Sequence, residues 1–199
     1  MNRKIAKLSS LVNVFAVFSF ALAMLAGSDF FSYFSAIFIA FSFVPMISSF
    51  CFFATSDVKL AGYVSVGFTI VYATLILLVY YAQITTVHAG GLSHEALALL
   101  DFQQFGLFFN YDMLGYGLMS LATFFAGLTL DVQSKVDKWL KAMLLVHGIF
   151  FVSCFFMPMF GLFKPDMAGG DWIGIAVLLV WSLYFIPIGV LSFKHFSRI

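Results

Sequence analysis

The chain has 199 residues, 63% of them hydrophobic and 10% charged, with a formal net charge of +1. A soluble domain is about a quarter charged, and one carrying 28 Phe would expose a large apolar surface, so the composition excludes a soluble fold and makes the lipid bilayer the first partner. The length suits one integral-membrane domain spanning residues 1–199, and near-neutral charge with no basic block excludes nucleic acid.

Arg3, Lys4 and Lys7 come before the first apolar run, Leu8 to Ala26. With Ala21, Ala23 and Ala26 this start imitates a secretion signal, but the run is long enough to span and is expected to be a retained helix. Five more runs follow, at about Phe30–Ala54, Leu60–Ile84, Tyr111–Leu130, Trp139–Phe163 and Trp172–Phe193. Each has roughly the 20 apolar residues that crossing the hydrocarbon takes. Pro45, Pro158 and Pro187 lie inside three of them, as membrane helices tolerate. The expected fold is therefore an all-α bundle of six transmembrane helices.

Six spans put both termini on one side. Of the ten basic residues, Arg3, Lys4, Lys7, Lys59, Lys135, Lys138, Lys141, Lys194 and Arg198 fall on the side of the termini, and Lys164 alone on the other. Basic residues concentrate on the cytoplasmic side, so cell-membrane residence with cytoplasmic N- and C-termini is expected. The acids Asp29, Glu95, Asp101, Asp112, Asp166 and Asp171 lean outward. Trp139 and Trp172 open helices at the interface, as aromatic anchors do.

The longest connection, about Thr85–Asn110, lies outside, between the third and fourth spans. Gly90 and Gly91 break it, and Ser93 is placed to cap a short helix through about Gln104, with Glu95 in its first turn. Leu97, Leu100 and Phe108 suit a helix lying in the interface. A loop this long is uncommon without a function.

At 100° per residue, the third span gathers Gly62, Ser65, Thr69, Tyr72, Ala73, Ile76, Tyr80 and Gln83 on one face. The fourth gathers Asp112, Gly115, Tyr116, Met119, Ala122, Thr123 and Ala126. Small and hydroxylated residues line helix contacts in membranes, so the two stripes are expected to meet. Tyr80, Gln83, Asp112 and Tyr116 would then share the outer mouth, with Tyr72 deeper, and an acid among phenols and an amide grips a cation or a donor. The competing reading makes Asp112 a first-turn residue that stabilises its helix N-terminus. His147 is the one ionisable residue well inside a span, and intramembrane ionisable residues are functional candidates. Alternatively it is a neutral imidazole joining helices, with Thr69, Thr123 or Tyr184 as the expected partner.

His88 and His94 flank two glycines in the loop. A zinc site needs three or four protein ligands, and only Glu95 or Asp112 could add a third, so no metal and no other cofactor is assigned. Cys51 and Cys154 lie in different spans at different depths, and a disulfide needs Cα atoms within about 7 Å, so both are expected to be free thiols. The motifs HExxH, GxSxG, GxxxxGK[ST] and GxGxxG are absent, which weighs against an enzyme, and no catalytic residue is assigned.

The passages YYAQITTV (Tyr80–Val87), DMLGYGLMSLATFFAGL (Asp112–Leu128) and WLKAMLLVHGIFF (Trp139–Phe151) resemble uncharacterised six-span bacterial membrane proteins. The likeness covers much of Tyr80–Phe193 and implies fold and location, the family having no settled activity. Size and topology are also similar to the substrate-capture subunits of energy-coupling-factor vitamin transporters, whose first-helix alanine motif is loosely echoed by Ala16, Ala21, Ala23 and Ala26. Three functions stay open: binding or translocation of a small molecule in an aromatic-lined cavity open to the extracytoplasmic side, through Tyr72, Tyr80, Gln83, Asp112, Tyr116 and His147; a non-catalytic accessory, sensory or immunity-type subunit with a membrane-protein partner; or, third, a membrane-embedded enzyme, which His147 paired to an acid or a metal would favour. A large internal cavity would favour the first, and a packed interior with a small-residue groove outside it the second.

Overall fold

A computed structural model describes residues 1–163 and 170–198, and within them the chain is all helical. The helices are α1 (Asn2–Leu25), α2 (Asp29–Phe53), α3 (Lys59–Ala82), the short α4 (His94–Leu100), α5 (Leu107–Leu128), α6 (Lys135–His147), α7 (Phe150–Met159) and α8 (Gly170–Arg198). Lys164 and Asp166 lie outside the described residues, as does the side chain of Asp171.

Neighbouring helices run antiparallel, and side-chain contacts fix their register. Asn13 on α1 donates to Ser42 on α2 at 3.0 Å. Phe43 and Tyr33 on α2 meet Tyr72 and Tyr80 on α3. Ser65 on α3 donates to the Ala122 carbonyl of α5 at 2.6 Å. His147 and Met143 on α6 meet Trp181 and Tyr184 on α8. The circuit closes where Gly189 of α8 packs so tightly on α1 that an added Cβ would stand 2.5 Å from Val14 Cγ2. Lys7 lies over Phe193, so both termini occupy one end of the bundle, the terminal end. The loop carrying α4 marks the other, the loop end.

Periodicity sorted the faces of α3 and α5 correctly. The described buried residues of α3 are Gly62, Ser65, Thr69, Tyr72, Ala73, Ile76, Val79 and Tyr80, and Gln83 just beyond is buried too. On α5 the expected stripe is buried except for Tyr116, which is partly buried, and Phe109, Gly117, Ser120 and Gly127 are buried too. A Cβ at Gly117 would touch Cys154 of α7, and one at Gly127 would touch Leu145 of α6. Thus α5 is wrapped on two sides, by α3 and by α6 with α7, and sits deeper than its neighbours.

Among the described residues five helical stretches are long and apolar enough to cross a membrane: Asn2–Leu25, Asp29–Phe53, Ser56–Val87, Lys135–Met159 and Trp172–Arg198. Large exposed apolar side chains such as Phe15, Phe41, Ile70, Val152 and Leu183 cover their outer faces, a surface that calls for lipid. The expected fourth span, α5, falls short on composition because Asn110, Asp112, Tyr116 and its glycines dilute its apolar residues.

Several expected boundaries move. α1 starts at Asn2, so Arg3, Lys4 and Lys7 lie on the helix. The fifth expected span is two helices, α6 and α7, broken around Gly148, where a Cβ would meet Phe124 at 2.9 Å. Ser93 does cap α4, accepting from Ala96 N, but α4 stops at Leu100, not Gln104. Asp101 is extended and its carboxylate takes the Gln103 amide at 3.0 Å, starting a separate 3₁₀ turn at Phe102–Gln104. Phe105 follows with φ 52°, and α5 begins at Leu107 rather than Tyr111.

Candidate functional site

That earlier start changes the reading of Asp112. It stands in the second turn of α5, past the first-turn position where a carboxylate complements the helix N-terminus, and only 4% of it is exposed. The small-residue face brings it there: Gly115, one turn below, packs against Ile76 of α3, with space for a Cβ only 3.1 Å from Ile76 Cδ1. With the two backbones this close, the Asp112 carboxyl stands beside the Tyr80 hydroxyl, with Tyr72 and Tyr116 near it.

The result is a buried cluster of one acid and three phenols. The Tyr72 and Tyr116 rings lie 6.0 Å apart. Tyr72 is fully buried against Phe43, Tyr80 is 3% exposed, and Tyr116 sits edge-on to Trp181 at 5.6 Å. Asp112 Oδ1 and the hydroxyls of Tyr72 and Tyr116 are buried with no hydrogen-bond partner in the protein. Such atoms are rare in folded proteins, and each costs about 1–3 kcal/mol when left unmade. Asn13 Oδ1 on α1 is a further unpartnered atom, but its amide is held by Ser42 Oγ and the Ile39 carbonyl.

Gln83, expected to face Asp112, is committed elsewhere. Its amide nitrogen donates to the Leu100 carbonyl at 2.6 Å and its oxygen accepts from Phe102 N at 3.1 Å. The π-helical turn Gln83–Val87 ends α3 under the loop, so this side chain pins the loop rather than lining the cluster. Phe102 is thereby held over Tyr80 and Tyr33, at 6.0 and 5.8 Å, and Gln103 donates to Asp29 at the start of α2 at 2.6 Å. The cluster is therefore covered by aromatic rings on the side of the loop. Two surface grooves, one of about 570 Å³ between α1 and α2 and one along α7, include none of its residues.

His147 joins this arrangement from the far side. It is 1% exposed, at the break between α6 and α7. Trp181 Nε1 donates to its Nε2 at 3.1 Å, and Nδ1 lies 2.7 Å from Thr123 Oγ1, whose own proton goes to the Ser120 carbonyl at 2.8 Å. A Trp N–H can only donate, so Nε2 accepts and Nδ1 carries the proton. The imidazole is thus neutral with both nitrogens spent, which matches the reading of a histidine joining helices; it pairs with no acid. Of the expected partners Thr123 bonds it, Tyr184 stacks on it at 6.0 Å, and Thr69 bonds its own helix.

Reasoning from the sequence missed Trp181, Tyr33, Phe102 and Cys154. The spacing of Trp181, Phe185, Ile188, Ser192 and His195, all buried, is a helical stripe that would have turned Trp181 inward. Cys154 lies near Asp112 and Tyr116, and both cysteines are free thiols. His88 packs on Phe30 at 5.2 Å, and among the described residues no three of His, Cys, Asp and Glu converge. Comparison of the chain with protein families, with curated proteins and with solved structures gives no match.

Proposed function

We propose that this is a six-span bacterial membrane protein that binds a small polar ligand in the cluster of Asp112, Tyr72, Tyr80 and Tyr116, reached from the extracytoplasmic side when the loop over it moves. The observation that carries the reading is the set of three buried, unpartnered polar atoms on neighbouring helices. A bundle evolved for packing alone gains nothing from hydroxyls that Phe could replace. The α5 helix would be the sixth span: its polar residues point inward and its neighbours shield it, so it need not be as apolar as the rest. Nine of the ten basic residues lie toward the terminal end, which supports cytoplasmic termini. The short α4, with Leu99 exposed, suits the interface.

The test is a melting-temperature survey of the full chain in lipid nanodiscs against small cationic, zwitterionic and neutral compounds. At least one class should stabilise the wild type and leave Asp112→Asn unmoved. A flat profile for the wild type across all classes would contradict binding.

A second reading, an accessory subunit, is favoured by the groove between α1 and α2, where Ala16, Ser19, Ala23 and Ser35 leave room against Phe15 and Phe31. Small residues allow close helix approach in lipid. Bulky substitutions at Ala16 and Ala23 that left every assembly unchanged would remove this reading.

A further inference from the structure

We infer that the ligand of the Asp112 cluster is a small, dehydrated monovalent cation, an alkali-metal or ammonium ion. This rests on the reading above that the cluster is a ligand site, and it names the class of ligand.

Charge comes first. An ionised carboxylate away from water needs a counter-charge, and among the described residues no Lys or Arg is paired with Asp112: Lys59 is bonded to the carbonyls of Cys51 and Phe52 at the terminal end, and Lys141 to Leu130 O. A proton on Asp112 would neutralise it, but its single O–H could serve at most one of the hydroxyls of Tyr72 and Tyr116. A cation held by the carboxylate and both phenolic oxygens would give all three unpartnered oxygens a partner at once. The donor set is entirely oxygen, which suits hard cations and disfavours soft metals. It contains a single carboxylate, and among the described residues no three of His, Cys, Asp and Glu converge on it. Calcium takes 6–8 oxygen ligands and magnesium about six in strict octahedral geometry, so one negative charge matches one positive charge. Size comes last. The cluster lies among fully buried Tyr72, Ile76 and Met119, where an ion without its water shell needs far less room than an organic molecule. Phe102, held by Gln83, closes the site against rehydration.

The experiment measures the melting temperature of the wild type in nanodiscs with sodium, potassium or ammonium chloride, against N-methyl-D-glucamine chloride at equal ionic strength. A cation at a hundredfold excess over its Kd should raise the melting temperature by about 5–10 °C, saturably, and the arm that does so identifies the ion. Asp112→Asn should abolish the rise, and Tyr116→Phe, which keeps the charge and the ring, should move half-saturation up about tenfold. No rise with any of the three salts, or an undiminished rise in Asp112→Asn, overturns the cation. If an organic compound stabilises in an Asp112-dependent way while the salts do not, the small-molecule reading stands and the cation falls. If neither acts, both fall. Stabilisation on acidification alone, without dependence on these cations, assigns a proton to Asp112 and overturns the proposal.

Discussion

Among the described residues two aspartates are buried, one near each end of the bundle, and their surroundings could hardly differ more. Asp137, in the first turn of α6 and 3% exposed, is fully committed. Its Oδ1 meets His195 Nδ1 at 2.8 Å and Arg198 at 2.7 Å, and its Oδ2 accepts from Ser134 Oγ at 2.8 Å and Gln133 N at 3.3 Å. Asp112 is as deeply buried and has no basic partner among the described residues, and one of its oxygens is unmade. The first is a clip that holds the end of α8 to the start of α6. The second sits where a purely structural residue would be a liability, and that contrast is the argument for a ligand.

Breaking the clip should have the largest effect. Asp137→Ala is expected to destabilise the protein by about 3 kcal/mol, the low end of the range for breaking a buried pair, because Arg198 is half exposed and water screens its share. Unfolding in detergent at a series of salt concentrations measures it, and the loss should be the same with or without monovalent cations. An effect below about 1 kcal/mol would mean that the clip is incidental.

His147→Leu comes next, at about 2 kcal/mol, because it strands the buried Trp181 N–H and removes the donor to the Thr123 oxygen. The same unfolding assay reads it, and an unchanged midpoint would mean that the ring acts only as apolar filling. Tyr72→Phe should act in the opposite sense. It removes an unpartnered hydroxyl and keeps the ring against Phe43, so it should stabilise the cation-free protein by about 1 kcal/mol while weakening the response to cation. Destabilisation in cation-free buffer would show that the hydroxyl is already satisfied. Gln83→Ala should change global stability least. Its mark should be local, as faster hydrogen exchange across residues 94–105, where the loop loses both amide bonds. Unchanged exchange there would show that Gln83 does not pin the cover.

How far the sequence carried the site depended on the kind of signal. The faces of α3 and α5 were legible because small and hydroxylated residues recur at helical spacing, and this alone put Tyr72, Tyr80, Asp112 and Tyr116 together. His147 and Thr123 were legible for the same reason. Gln83 was misplaced because its outcome depends on where the loop backbone returns, and no periodicity encodes that. The start of α5 was misplaced because Asp112 resembles a helix-opening residue, whereas the stop is set upstream by the left-handed Phe105 and by Gly106, packed against the Ala98 carbonyl. The break at Gly148 had no proline to announce it. Trp181 was hidden by its own apolarity, since in a helix of Leu, Val and Phe an indole reads as one more lipid-facing ring.

The most direct test of the central contrast is the melting temperature of Asp112→Asn beside the wild type, each measured in cation-free buffer and at saturating cation. The amide removes an uncompensated charge and, with it, the counter-ion's anchor. The variant is therefore expected to melt at or above the wild type without cation and below it with cation, so that the order reverses. A variant that melts below the wild type by the same margin in both buffers would show Asp112 to be a structural residue like Asp137, and would contradict the account.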